Sequence, residues 1–139
     1  NAKNNNISNA EFYAGKAETI VPNLYKQNIK ADIVIADPPR KGCEKEVIYT
    51  IINMAPKKIV YVSCDPSTLA RDIKLLEEGG YRLMKAQPVD MFPWSVHVET
   101  VVSLSHKKAD TYINVNVEFG DEEGQIPIDT IARKAEEST

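Results

Sequence analysis

Tyr61-Val62-Ser63-Cys64-Asp65-Pro66-Ser67-Thr68-Leu69-Ala70-Arg71-Asp72 reads as a buried strand that turns directly into a helix. The apolar run from Lys58 to Val62 supplies the strand. Asp65-Pro66 supplies a helix N-cap followed by proline at the first helical position, where its missing N–H costs nothing. Cys64 is therefore at the carboxyl end of a strand and at the positive end of a helix dipole, a place where α/β sheets present their ligands and where a thiolate is favoured. A free thiol with a pKa of about 8.5 is only a few per cent ionised at neutral pH, and a drop to about 7 would make it about half thiolate. The position suits a nucleophile, and it equally suits a small apolar filler at a strand end.

On the amino side, Asp32 to Ala36 is a short β-branched run that stops at Asp37-Pro38-Pro39-Arg40-Lys41-Gly42, two prolines stiffening the loop just beyond the strand. Glu44 to Asn53 reads as a helix with Val47, Ile48, Ile51 and Ile52 inward, and Pro56 breaks the chain before the Lys58 strand. Upstream, Ala10 to Ala14 reads as a strand. A helical segment after Lys16 offers Ile20, Val21, Leu24 and Tyr25 for one face, with Pro22 expected only in its first turn. On the carboxyl side, Ser67 to Glu78 is an amphipathic helix closed by Gly79-Gly80. Tyr81 to Asp90 is extended, Met91 to His97 is a loop, and Val98 to Ser105 is a further strand.

Alternation of this kind predicts an α/β fold, a mostly parallel sheet with helices on both faces and an antiparallel edge pair formed by the last two strands. Residues 1–106 form that unit. Residues 107–139 read as an appended strand-helix extension, because Thr111 to Phe119 alternates apolar and polar side chains and an amphipathic stretch follows an acidic turn.

With 139 residues the chain is long enough for one domain with one core. A net charge of -3 excludes a global electrostatic attraction to nucleic acid, so phosphate contacts must be local. The two cysteines, Cys43 and Cys64, lack metal-ligand spacing, no metal site is expected, and a reducing, cytoplasmic setting is the natural expectation. Cys43 reads as incidental. No apolar run reaches membrane-spanning length.

Asp37-Pro38-Pro39-Arg40, Ser63-Cys64-Asp65-Pro66 and Met91-Phe92-Pro93-Trp94-Ser95-Val96-His97-Val98-Glu99 fall on one side of the expected sheet. The Asp-Pro-Pro element is similar to the substrate-side motif of methyltransferases acting on exocyclic amines of bases, but its fourth residue is Arg40 where those enzymes place a stacking aromatic. A carbon target fits better. C5 of uracil becomes nucleophilic only after something adds to C6, which calls for a thiolate, and the C5 proton must then be removed by a base. Cys64 and Glu99 are the residues on offer. A Cys64, His97 and Glu99 hydrolase arrangement is the weaker construction, since His97 and Glu99 share a direction only on a regular strand.

Asp37 to Gly42, Val62 to Asp72 and Asp90 to Thr100 together resemble three successive motifs of the RNA (uracil-5-)-methyltransferase family, the 23S rRNA and tRNA uracil-C5 enzymes. The resemblance spans about Asn1 to His106. It implies a Rossmann-like class I methyltransferase fold truncated in its N-terminal half, with S-adenosyl-L-methionine as cofactor. It further implies Cys64 as nucleophile on C6, Glu99 as base for the C5 proton, and Asp37 in the cofactor site. RNA is the expected partner, 23S rRNA ahead of tRNA, with Arg40 and Arg71 as candidates for phosphates and Phe92 and Trp94 for stacking on an extruded base. The family's glycine-rich cofactor loop and its ribose-binding acid have no counterpart in this sequence, so upstream parts of the same protein are expected to complete the cofactor site and the chain alone is expected to be inactive. The runner-up reading is a non-catalytic RNA-binding or interaction domain that keeps the fold.

Overall fold

A computed structural model of the protein describes residues 1–107. The expected extension, Thr111 to Phe119 and the residues after it, lies outside the described residues. Three helices and four strands follow a short 3-10 turn: α1 (Ala17–Lys26), β1 (Ile33–Ala36), α2 (Lys45–Met54), β2 (Lys58–Ser63), α3 (Pro66–Glu78), β3 (Tyr81–Val89) and β4 (Glu99–His106).

The sheet order is β1-β2-β4-β3. β1 and β2 are parallel, and β4 runs antiparallel to both β2 and β3. β1, β2 and β3 therefore share one direction, and the final strand slots between β2 and β3 instead of adding at the edge. Both crossovers, through α2 and through α3, step the same way across the sheet, so right-handed connections place both helices on one face. Among the described residues this corrects the expectation of helices on both faces. α2 packs against both neighbours: Tyr25 donates its hydroxyl to the Asn53 carbonyl at 3.3 Å, and at the other side the end of α3 comes so close that a Cβ at Gly79 would clash with the Ile52 side chain.

The core is the space between this helix layer and the sheet. Val47, Ile48 and Ile51 of α2 and Leu69 and Leu76 of α3 meet Ile59 and Tyr61 of β2, Tyr81 of β3, and Val102 and Leu104 of β4. The registers explain the selection. Ile59 stands opposite Leu104 and Tyr61 opposite Val102, so one face of each strand turns to the helices. On β3 a bulge between Leu83 and Lys85 keeps this pattern, since it brings Leu83 and Ala86 to the helix side and leaves Lys85 exposed. Tyr81 is fully buried, and its hydroxyl donates to the Pro56 carbonyl at 2.8 Å, tying β3 to the turn that precedes β2.

Two local expectations fail for identifiable reasons. Ala10 to Ala14 is not a strand: its side chains are exposed, and none of the described strands pairs with it. Pro22 lies inside α1 beyond its first turn, yet the helix continues through it. Tertiary contact with α2 outweighs the lost backbone hydrogen bond there.

Candidate active site at the carboxyl ends of the parallel strands

β2 ends at Ser63, and the next two residues turn the chain into α3. Ser63 Oγ donates to the Asp65 carbonyl at 2.9 Å and accepts from the Asp65 N–H at 3.1 Å, bracketing Cys64. Asp65 is the N-cap, with Pro66 in the first turn and its Oδ1 accepting from the Thr68 N–H at 2.9 Å. The strand-to-helix junction read from the sequence is thus formed by serine and aspartate side chains, and Cys64 is half-buried within it.

The Thr68 N–H holds the half-buried Asp65 carboxyl below its ordinary pKa. A carboxyl lowered on folding contributes stability above its unfolded pKa, and the contribution is lost as pH falls through the lowered folded value. Asp65→Ala should therefore lower the melting temperature most at neutral pH, and the gap to wild type should close in acid. Thermal melts across pH check this, and a gap independent of pH would contradict it.

The strand registers place the three residues singled out for chemistry. Ile35, Val60 and Ser103 are aligned across β1, β2 and β4, on the face opposite the helices. Continuing the β1–β2 register one residue past Ala36 and Tyr61 sets Asp37 beside Val62. The β2–β4 register ends at the pair Ser63 and Thr100, so Cys64 and Glu99 are the neighbours of that pair at the same end of the sheet. Asp37 follows β1, Cys64 follows β2 and Glu99 opens β4, so the three lie at one end of the sheet, at the carboxyl ends of β1 and β2 and the amino end of β4. Paired antiparallel residues such as Ser63 and Thr100 have Cα atoms about 4.5 to 5.5 Å apart, so their neighbours Cys64 and Glu99 flank one short stretch of the sheet end.

Three loops surround this edge. Asp37 and Pro38 line a cavity of about 300 Å³ with Ala17, Glu18, Val21 and Val47, between the start of α1 and the end of β1. The Met91–Val98 loop stands in solvent, with Phe92 half exposed and Trp94 fully so. Trp94 also adopts a left-handed backbone (φ 74°), a conformation that costs a non-glycine residue about 1 to 3 kcal/mol. Arg40 Nη2 approaches His97 Nε2 at 3.5 Å, linking the Asp37 loop to the Phe92 loop.

Arg71 is placed differently from the expectation of a surface phosphate contact. Its Nε and Nη2 reach Asp72 Oδ1 at 2.8 and 2.7 Å, and Nη2 also donates to the carbonyls of Lys41 and Cys43 at 3.0 and 3.3 Å. Asp72, missed as a site residue, is fully buried. One sign was readable: it lies between Leu69 and Leu76 at helical spacing, so a carboxylate occupies the apolar stripe of α3. Cys43 is not isolated either. It precedes the N-cap of α2, its N–H donates to Asp72 Oδ2 at 2.8 Å, and burial pushes its thiol up, away from reactivity. Among the described residues no cluster of histidine, cysteine, aspartate or glutamate could hold a metal ion, and no helix is long and apolar enough to cross a membrane.

A sheet of this order, with its cysteine, carboxylates and cavity gathered at one edge, has the α/β fold of a methyltransferase domain, of which the described residues form a part. Among solved proteins, the chain is similar in structure to the Pyrococcus abyssi tRNA (uracil-54, C5)-methyltransferase in complex with S-adenosyl-L-homocysteine. It superimposes with a TM-score of 0.60 at 36% identity, over 74% of this chain and 24% of that one. The family model for tRNA (Uracil-5-)-methyltransferase matches residues 14–107, and the chain belongs to that family. It is 57% identical to an uncharacterised RNA methyltransferase of Bacillus cereus over 105 residues, 76% of this chain and 23% of the relative. It is 56% identical to one of Clostridium tetani over 106 residues, 76% of this chain and 23% of the relative. The chain thus spans about a quarter of the length of these relatives.

Proposed function

We propose that this chain carries the chemical residues of an S-adenosyl-L-methionine-dependent RNA uracil-C5 methyltransferase. The observation that supports the reading is the β2–β4 register, whose last pair is Ser63 and Thr100, so that Cys64 and Glu99 both lie next to it at the end of the helix-capped strand, with Asp37 directly after the neighbouring β1. In this reading the Cys64 thiolate forms a bond to C6 of the uracil, and the electron pair of the C5–C6 double bond moves onto C5 and its carbonyl. The cofactor supplies an electrophilic methyl group, which C5 takes up. Glu99 then removes the C5 proton, the double bond re-forms, and Cys64 leaves as thiolate.

The cavity beside Asp37 fits a share of the cofactor site. Its walls are apolar, from Val21, Pro38 and Val47, with the Glu18 and Asp37 carboxylates available to polar groups of a nucleoside. The exposed Trp94 and Phe92 support a base taken out of its stack, since stacking on an aromatic is worth about 1 to 3 kcal/mol per base. Arg40, tied to His97, lies where it can steer the RNA backbone, and the chain works in the cytoplasm with the upstream part of its protein completing the cofactor grip. The proposed substrate is 23S rRNA ahead of tRNA, and because the matching family model and the solved Pyrococcus abyssi enzyme are described by tRNA, both RNAs enter the test. The test is incubation of the full-length protein with S-adenosyl-L-methionine and either RNA, followed by nucleoside analysis. 5-Methyluridine in 23S rRNA is expected, its appearance only in tRNA would reverse the substrate preference, and RNA bound but unmodified would point to a binding module.

A further inference from the structure

We infer that Asp72, with Tyr61 and Arg71, is a positioning device that fixes the Asp37–Gly42 loop against the strand-helix junction carrying Cys64. The inference rests on the methyltransferase reading above and adds residues to it.

The Asp72 carboxylate is fully buried and takes donors from three separate places. Oδ1 accepts both the Nε and the Nη2 of Arg71. Oδ2 accepts the Tyr61 hydroxyl at 2.5 Å and the Cys43 N–H at 2.8 Å. Tyr61 is on β2, a turnless three residues before Cys64. Cys43 ends the loop that begins at Asp37. Arg71 extends the same clamp by donating to the Lys41 and Cys43 carbonyls, and Thr68 Oγ1 donates to the Arg40 carbonyl at 3.0 Å. Arg40, Lys41 and Cys43 of the loop backbone are thereby held by the first two turns of the helix that Cys64 introduces.

Gly42 shows how closely the parts approach. It is buried with φ 79°, and a Cβ there would lie 2.6 Å from both Arg71 Nη2 and Asp72 Oδ2. Any other residue must displace the clamp and also adopt a left-handed backbone. Burial, and next the bond to Asp72, raise the Tyr61 phenol, so it stays protonated and remains a donor.

Stability alone does not call for this arrangement. A buried ion pair can commonly be replaced by apolar side chains of similar volume without loss. What the polar network adds is directional: four donors converge on one carboxylate only when the Asp37 loop and the Cys64 junction hold a single relative position. In the proposed reaction that position sets the distance between the methyl donor and the carbon activated by the thiolate. Asp72, Tyr61 and Arg71 touch neither, so they act as positioning residues.

The test is steady-state kinetics of full-length Tyr61→Phe and Arg71→Lys, each measured well below its melting temperature. Tyr61→Phe removes one hydroxyl from the network, and Arg71→Lys keeps the charge but loses the fork. A misplacement of about 1 Å can cost on the order of 100-fold, so kcat should fall by about 10- to 100-fold in both while KM for RNA stays within about twofold. A variant that melts lower but keeps the wild-type kcat would overturn the inference, because a merely structural network changes the folded fraction and not the turnover of folded enzyme. Two variants are used so that poor folding of one leaves the other decisive. Failure of the parent reading shows separately, in wild-type enzyme that makes no 5-methyluridine at all, and removes the clamp with it.

Discussion

Cys64→Ser in the full-length protein is expected to abolish RNA methylation, a loss on the order of 10⁴-fold or more, the scale seen when a covalent nucleophile is removed. A serine hydroxyl at the end of β2 would keep the junction formed by Ser63 and Asp65, because those bonds do not involve the side chain at 64. It cannot supply a thiolate to C6. Glu99→Gln should behave differently. Attack and methyl transfer precede the step that needs the carboxylate, so this variant should accumulate a covalent RNA complex and release little product. Denaturing gels of enzyme with RNA and cofactor distinguish the pair: a retained band with Glu99→Gln, none with Cys64→Ser. An active Cys64→Ser enzyme would sink the mechanism.

The second large effect concerns the cofactor. The cavity beside Asp37 offers two carboxylates and apolar walls, while the glycine-rich loop and ribose-binding acid implied by the resemblance are not in this sequence. Each such contact involving a charged group is worth about 1.5 to 3 kcal/mol, so lacking several weakens binding by orders of magnitude. Calorimetric titration of the 139-residue chain with S-adenosyl-L-homocysteine should show no saturable micromolar binding, and the chain alone should be inactive. Micromolar binding would mean that the residues described here already hold the cofactor.

Much of this could be read from local sequence. Asp65-Pro66 announced the start of α3 because capping is a short-range interaction, and the apolar run of β2 was unambiguous between Pro56 and that cap. The Cys64 junction and the Asp37 loop followed from the same signals. What local sequence withholds is pairing. Val98 to Ser105 reads as a strand wherever it sits, and only the sheet shows that β4 lies between β2 and β3, which is what brings Glu99 to the same sheet end as Cys64. The bulge on β3 is invisible for a similar reason, since its purpose is to match Ala86 to Val102 on another strand.

The Tyr61, Asp72 and Cys43 network joins residues 11 and 29 positions apart, beyond the reach of any periodicity. Arg71 illustrates the hazard. The sequence offered it only as a candidate for phosphate, and the fold adds bonds from its guanidinium to the carbonyls of Lys41 and Cys43 that no local pattern announces. Ala10 to Ala14 erred in the opposite direction, because a short run with aromatic residues does not make a strand without a partner to receive its hydrogen bonds.

The most direct test of the central claim is mass spectrometry of the full-length protein after reaction with 5-fluorouridine RNA and S-adenosyl-L-methionine. Fluorine at C5 cannot leave as a proton, so the reaction should halt after methyl transfer with the RNA still attached. The account predicts a stable adduct on the peptide containing Cys64, carrying the added methyl group. An enzyme that methylates ordinary uridine in the same RNA yet yields no adduct, or an adduct on Cys43, would contradict it.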